Sequence, residues 1–241
     1  MNKTVLITGV SRGLGLACAR RLLQAGWHVC GVSRSESAGW LQLARDHAGM
    51  AEWRSWDLEQ TGRIEAQVQE FLPLGRPIHA LVNNAAMAYD DLVTNLSIAR
   101  LEAMLAVNVV APMVITRAVV RNMLCHEVPG SIVHVSSVSV QAGARGLAMY
   151  AASKGALEAF SRGVAQEWGP RGIRSNCVVP GYMETEMTAG LTAEKRARIR
   201  RRTALRRDTD VDSVAATIAF LLGEESSAIT GQEIVVDAGF S

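Results

Sequence analysis

The chain has 241 residues, of which 49% are hydrophobic and 20% charged, and its formal net charge is +2. That length suits one α/β domain, and the composition excludes intrinsic disorder. The small charge excludes a general attraction to nucleic acid or to membrane surfaces.

Lys3–Thr8 is a short β-rich run and predicts the first strand. It leads straight into Gly9-Val-Ser-Arg-Gly13-Leu-Gly15, and a helical spacing of Leu16, Ala19, Leu22 and Leu23 continues to Gly26. Glycines allow a tight turn and close backbone approach, and the unpaired N–H groups of the helix would receive a pyrophosphate. An ordinary strand–helix turn is the alternative. His28–Ser33 predicts the second strand. Where an unphosphorylated dinucleotide would meet an acidic residue, Ser33 and Arg34 stand, with Arg12 inside the glycine loop. Two arginines there would clamp a 2′-phosphate. Two solvated surface arginines are the alternative, and nearby Glu36 complicates the clamp.

Glu52–Trp56 predicts a third strand running into Asp57-Leu58, where Asp57 would accept a hydrogen bond from an adenine amino group. Its tryptophans point to packing. Residues 61–72 have an amphipathic helical spacing closed by Pro73 and Pro77. Ile78–Val82 predicts strand four, ending in the small residues of Asn83-Asn84-Ala85-Ala86. The helical pattern from Ser97 carries Asn108 in its middle, and an Asn in so apolar a helix needs a partner.

Ile132, Val133 and Val135 predict a buried fifth strand ending at Ser136 and Ser137. Gly143 and Gly146 mark a loop. From about Met149 the pattern turns helical, with Leu157, Phe160, Val164 and Trp168 on one stripe. Tyr150 and Lys154 lie four apart at its start and point the same way. A free tyrosine titrates near pH ~10, so acid work near neutrality asks for roughly 4 kcal/mol of depression. One cation about 4 Å away supplies about that at an effective dielectric near 20. The pair is therefore a candidate proton donor, although a packed ring beside a solvated amine is the common meaning of such spacing.

Ile173–Val179 predicts strand six, ending at Pro180-Gly181. The spacing then predicts a helix over Val211–Leu222 and a last strand over Gln232–Val236. Strands alternating with helices argue an α/β fold with a doubly wound parallel sheet and helices on both faces, in one domain spanning 1–241. The four cysteines lack CxxC spacing and the five histidines are scattered, so reduced core thiols and no metal are expected. No apolar run approaches the ~20 residues of a membrane span, and no signal peptide is visible, so a cytoplasmic protein is expected.

Taken together, these motifs resemble the short-chain dehydrogenase/reductase family nearly end to end. Thr8-Gly9-xxx-Gly13-x-Gly15 resembles its cofactor loop, and Asn83-Asn84-Ala85-Ala86 its NNAG, with Ala86 crowding the cofactor side. Ser137 lies thirteen residues before Tyr150, as the family's catalytic serine does, while Tyr150-xxx-Lys154 resembles its YxxxK. The resemblance implies a Rossmann-type fold and NADP(H), bound along Gly9, Ser11, Arg12, Gly13, Leu14 and Gly15. It continues past Ser33, Arg34, Asp57 and Leu58 and against Asn84 and Ala85. The nicotinamide end would meet Tyr150, Lys154, Pro180, Gly181, Met183 and Thr185. It also implies that Tyr150 donates the proton as hydride reaches the carbonyl, with Lys154 binding ribose and depressing the phenol. Ser137 would orient the carbonyl, and Asn108 would hold a water that refills the proton through Lys154.

Within the family, PGYMETEMTAGLTAEKRARI and ITGQEIVVDAG look closest to 3-oxoacyl-acyl-carrier-protein reductases. An NADP-dependent alcohol or ketone reductase of secondary metabolism is the alternative, and a cofactor-sensing binding protein the non-enzyme one. Eight of the 25 basic residues lie in Lys195–Arg207, where the family's substrate lid is. They would dock an acidic acyl carrier protein or a CoA phosphate, with Arg171, or simply be a solvated helix face. A second carrier-binding arginine is replaced by Glu127-Val128-Pro129. A nucleic-acid partner is disfavoured by the single short patch. The resemblance implies a homotetramer packed through Ala151, Ala152, Gly155, Ala156 and Ala159.

Overall fold

The computed structural model describes residues 3–71, 76–185, 188 and 192–241. The chain alternates strand and helix as its periodicity predicts. β1 (Thr4–Thr8), α1 (Gly13–Gln24), β2 (His28–Ser33), α2 (Ala38–Asp46) and β3 (Ala51–Ser55) build the first half of the sheet. α3 (Ile64–Phe71) leads to β4 (Ala80–Asn83), followed by α4 (Ile98–Leu105) and α5 (Ala111–Cys125). β5 (Gly130–Val135), the short α6 (Ser139–Ala142) and the long α7 (Ala148–Trp168) come next. β6 (Ile173–Pro180), α8 (Ala193–Arg202), α9 (Val211–Leu222) and β7 (Glu233–Val236) complete it.

All seven strands join one parallel sheet in the order β3-β2-β1-β4-β5-β6-β7. β1 pairs with both β2 and β4, so strand order reverses there, and the crevice beyond its C-terminal end is where such sheets bind ligands. Alternation along each strand sends side chains to two cores. Val5 and Ile7 meet Leu22 of α1 and Ile218 of α9, whereas Leu6 lies with Ile64 of α3 and Ile115 of α5. With both faces covered, the central strands β1 and β4 are buried throughout and mostly apolar, whereas the edge strands β3 and β7 are only partly buried.

Some expected boundaries shift. Strand four begins at Ala80, because the N–H of Ile78 is taken by the Asn122 side chain, 2.8 Å away, before the ladder starts. Strand three spans Ala51–Ser55 rather than Glu52–Trp56, and the buried Trp56 ring packs edge-on against Phe71. The helix expected over 61–72 is a 3-10 turn at Thr61–Arg63 followed by α3; Leu72 and Pro73 lie outside the described residues. Between α4 and α5 the helix widens into a π turn, Ala106–Val110, with Asn108 at its centre. Together Ile98–Cys125 form 28 helical residues, long and apolar enough to cross a membrane by length and composition. Its longest uncharged run, residues 103–116, is still shorter than the ~20 residues of a span. Arg100, Glu102, Arg117 and Arg121 interrupt the run in the sequence, and its Met104, Ile115, Val119 and Met123 are buried in the protein.

Candidate active site

The end of β1 and the end of β4 are laced together at the switch point. The Thr8 hydroxyl accepts the N–H groups of Asn84 and Ala85, both at 3.0 Å. The Asn84 amide donates back to the carbonyls of Thr8 at 2.9 Å and Gly9 at 3.2 Å. Gly9 has φ +77, and a Cβ on Gly15 would stand 2.1 Å from the Gly9 carbonyl, so no side chain fits at either position. Gly13 faces the other way: a Cβ there would meet only the Thr185 side chain, at 3.7 Å. The glycine loop is thus tight on its protein side and open on its outer side, which fits a dinucleotide pyrophosphate. The Leu14 side chain is buried in the α1 core, leaving its backbone to face the loop.

At the adenosine end the residues are already engaged. The Ser33 hydroxyl donates to the Ser35 carbonyl and accepts the Trp53 ring N–H, both at 2.9 Å, so it has no proton to spare for a phosphate. Arg12 and Arg34 are exposed at this end. Asp57 accepts from the Glu59 N–H and the Gln60 amide at 3.2 Å each, capping its own turn, and Leu58 is buried in the second core. At the opposite end Gly181 packs so tightly that a Cβ would stand 2.4 Å from Thr209 Oγ1. The carbonyl of Pro180 accepts the Val138 N–H. Thr188 bonds the carbonyls of Met183 and Thr185 and shapes the turn that carries both.

Tyr150 and Lys154 occupy the start of α7, one turn apart and beside the end of β5. Lys154 is buried, and its Nζ donates to the Val135 carbonyl at 2.8 Å. Burial pulls its pKa down to about 8 and pushes Tyr150 up to about 12. The expected depression of the phenol by the lysine is therefore absent. The ammonium gives one of its three N–H bonds to the strand and stands 5.7 Å from the ring centroid, while the half-buried ring loses solvation for its phenolate.

The two serines ending β5 separate cleanly. Ser136 is buried and its hydroxyl donates to Glu158 at 2.5 Å, whereas Ser137 is partly exposed and is the one available to a substrate. Asn108 is fully buried. Its oxygen accepts the Met87 N–H at 2.7 Å, and its amide donates to the Met87 carbonyl at 2.9 Å and to Ser153 Oγ at 3.0 Å. Ser153 in turn donates to the Tyr150 carbonyl at 2.7 Å. Both amide hydrogens of Asn108 are used, so the side chain ties the loop after β4 to the first turn of α7 rather than donating to a water. π turns of this kind recur at functional sites.

Sequence reasoning missed Ser153 and Ser139, because a hydroxyl in a helix carries no pattern of its own. It also missed His134, buried beside Asn83 at 3.2 Å and held down to about 3 by burial and by the Lys154 charge. Among the described residues no three His, Cys, Asp or Glu side chains converge as metal ligands would.

A family model described as "Enoyl-(Acyl carrier protein) reductase" matches residues 9–241. The chain is 31% identical over 243 residues to a 3-oxoacyl-[acyl-carrier-protein] reductase of Chlamydia pneumoniae, covering 100% of this chain and 98% of that protein. It is 33% identical over 248 residues to an L-xylulose reductase of Caenorhabditis elegans, covering 100% and 96%. Among solved structures it is similar to a gluconate 5-dehydrogenase of Burkholderia cenocepacia in complex with NADP and tartrate. The TM-score is 0.93 at 29% identity, over 100% of this chain and 96% of that one.

Proposed function

Because the chain belongs to the short-chain dehydrogenase/reductase family, we propose that it reduces a 3-oxoacyl thioester to the 3-hydroxyacyl thioester with NADPH. The protein is an oxidoreductase, and its cofactor is NADP(H). The reading is supported by one observation: Lys154, one turn on from Tyr150 in α7, bonds the Val135 carbonyl at the end of β5, and Ser137 follows two residues after that carbonyl.

The glycine loop would hold the pyrophosphate, Arg12 and Arg34 the 2′-phosphate, and the Met183–Thr185 turn the nicotinamide end. Bound NADPH supplies the hydride to the carbonyl carbon. Tyr150, protonated at every physiological pH, gives its proton to the carbonyl oxygen, which stays on carbon as the product hydroxyl. Ser137 donates a hydrogen bond to the same oxygen and fixes its direction. Lys154, charged below about pH 8, would return a proton to the phenolate once the phenol has given up its own.

Similarity to the Chlamydia reductase over the whole chain favours the thioester. Similarity to L-xylulose reductase and gluconate 5-dehydrogenase favours a second reading, a small polyhydroxy ketone. NADPH oxidation with acetoacetyl-acyl carrier protein, acetoacetyl-CoA, xylulose and 5-ketogluconate separates them. The thioesters are expected to give the highest kcat/KM; a higher value for either sugar ketone overturns the first reading.

In this reading an acidic carrier protein docks on α8. Arg196 is paired with Glu184, Arg200 with Asp208, and Arg202 stacks on Phe240. Lys195, Arg198 and Arg201 are exposed and make no side-chain hydrogen bond or ion pair among the described residues. They, with the exposed Arg171, are the groups left for a partner. The chain acts as one domain, in the cytoplasm, with Cys18, Cys30 and Cys177 as unpaired core thiols. It assembles as a homotetramer in part through α7, whose Ala152 and Ala159 are exposed in the single chain.

A further inference from the structure

We infer that Ser139 is a positioning residue for Ser137, filling the acceptor sites of its hydroxyl so that the proton of Ser137 is all it has left to offer a carbonyl oxygen. Two donors from Ser139 converge on Ser137 Oγ: the backbone N–H at 3.2 Å and the hydroxyl at 3.0 Å. A serine hydroxyl has one donor and two acceptor sites, so this pair occupies both acceptor sites. Ser139 is only 4% exposed, out of reach of a substrate, while Ser137 remains partly open. The inference rests on the role given to Ser137 above.

The arrangement has two chemical consequences. A hydroxyl that accepts hydrogen bonds is a stronger donor through its own proton, because the bonds polarise one another. An open acceptor site on Ser137 would also be free to take a hydrogen bond from a donor meant for the substrate oxygen. Any residue at 139 would supply the N–H, since that comes from the backbone. The hydroxyl is the serine's own contribution.

The test is a double-mutant cycle on whichever carbonyl of the panel above the wild-type enzyme turns over fastest, so that a wrong substrate assignment does not affect it. Ser139→Ala is expected to lower kcat by about fivefold, the worth of one hydrogen bond. NADPH affinity, read by fluorescence, and Tm should stay near wild type. In a Ser137→Ala background the same change should move kcat less than twofold. Ser139→Thr, which keeps the hydroxyl, should restore the rate. Ser139→Cys, similar in size but a weak donor, provides the loss if the alanine variant does not fold. Equal losses in both backgrounds, or an unchanged kcat in Ser139→Ala, overturn the inference while leaving Ser137 its role. An unchanged kcat in Ser137→Ala removes that role and the inference together.

Discussion

The Lys154 ammonium reaches the Val135 carbonyl at 2.8 Å and stands 5.7 Å from the Tyr150 ring centroid. The residue that should acidify the phenol is thus anchored first to the sheet. Burial draws its pKa down to about 8. The ammonium is present below that value and lost above it, so kcat/KM for NADPH, which reports the free enzyme, should fall as pH rises through about 8. Lys154→Arg, charged at all accessible pH, should remove that limb; a limb unchanged by the substitution assigns it to another group.

Tyr150→Phe removes the phenol to which the proposal gives the proton transfer, without removing the ring. A loss of roughly 10²–10⁴ in kcat is expected, the usual contribution of a positioned acid. NADPH affinity measured by fluorescence titration should change less than about threefold, since the glycine loop and its arginines are untouched. Retained turnover would withdraw the phenol from the chemistry.

His134 is buried, with a pKa near 3 against an ordinary 6.5. The unfolded chain takes up a proton as pH falls below about 6.5, and the folded chain refuses it until about 3. Stability is therefore lost as pH falls through that window, by up to roughly 1.4 kcal/mol per pH unit. Urea unfolding at pH 7 and pH 4.5 should show a smaller acid loss in His134→Asn than in the wild type. Equal losses would mean that the ring does not carry the acid sensitivity.

Replacing Arg12 and Arg34 by alanine should raise KM for NADPH by at least about tenfold, since charge-assisted hydrogen bonds are worth about 1.5–3 kcal/mol. KM for NADH, which lacks the 2′-phosphate, should move less than about threefold. Parallel shifts for both cofactors would make them solvated surface residues. Ser33→Ala should matter little to this preference, because its proton is already given to Ser35.

On α8, alanine at Lys195, Arg198 and Arg201 together should raise KM for acetoacetyl-acyl carrier protein by about tenfold at low salt, and less at high salt. KM for a small N-acetylcysteamine thioester should hold. Arg200→Ala should affect both substrates, since its guanidinium is a two-pronged clamp on Asp208. Equal effects of the triple substitution on both substrates exclude docking there.

By itself the sequence determined the strands of the sheet, most of its helices and the candidates for the reacting side chains. Buried parallel strands are largely apolar runs, helices carry an apolar stripe, and glycines in a strand–turn–helix run mark the tight turn after β1. Each of these signals is local, so His28–Ser33 and Val211–Leu222 could be bounded to the residue. Tertiary structure alone decided what those side chains do with their hydrogen bonds. Lys154 turns to a carbonyl 19 positions away, Asn108 to a serine 45 positions away, and Ser33 gives its oxygen to a tryptophan on the next strand. A buried polar group takes the nearest available partner in space, and which partner that is depends on strand order and register. No spacing along the chain encodes it.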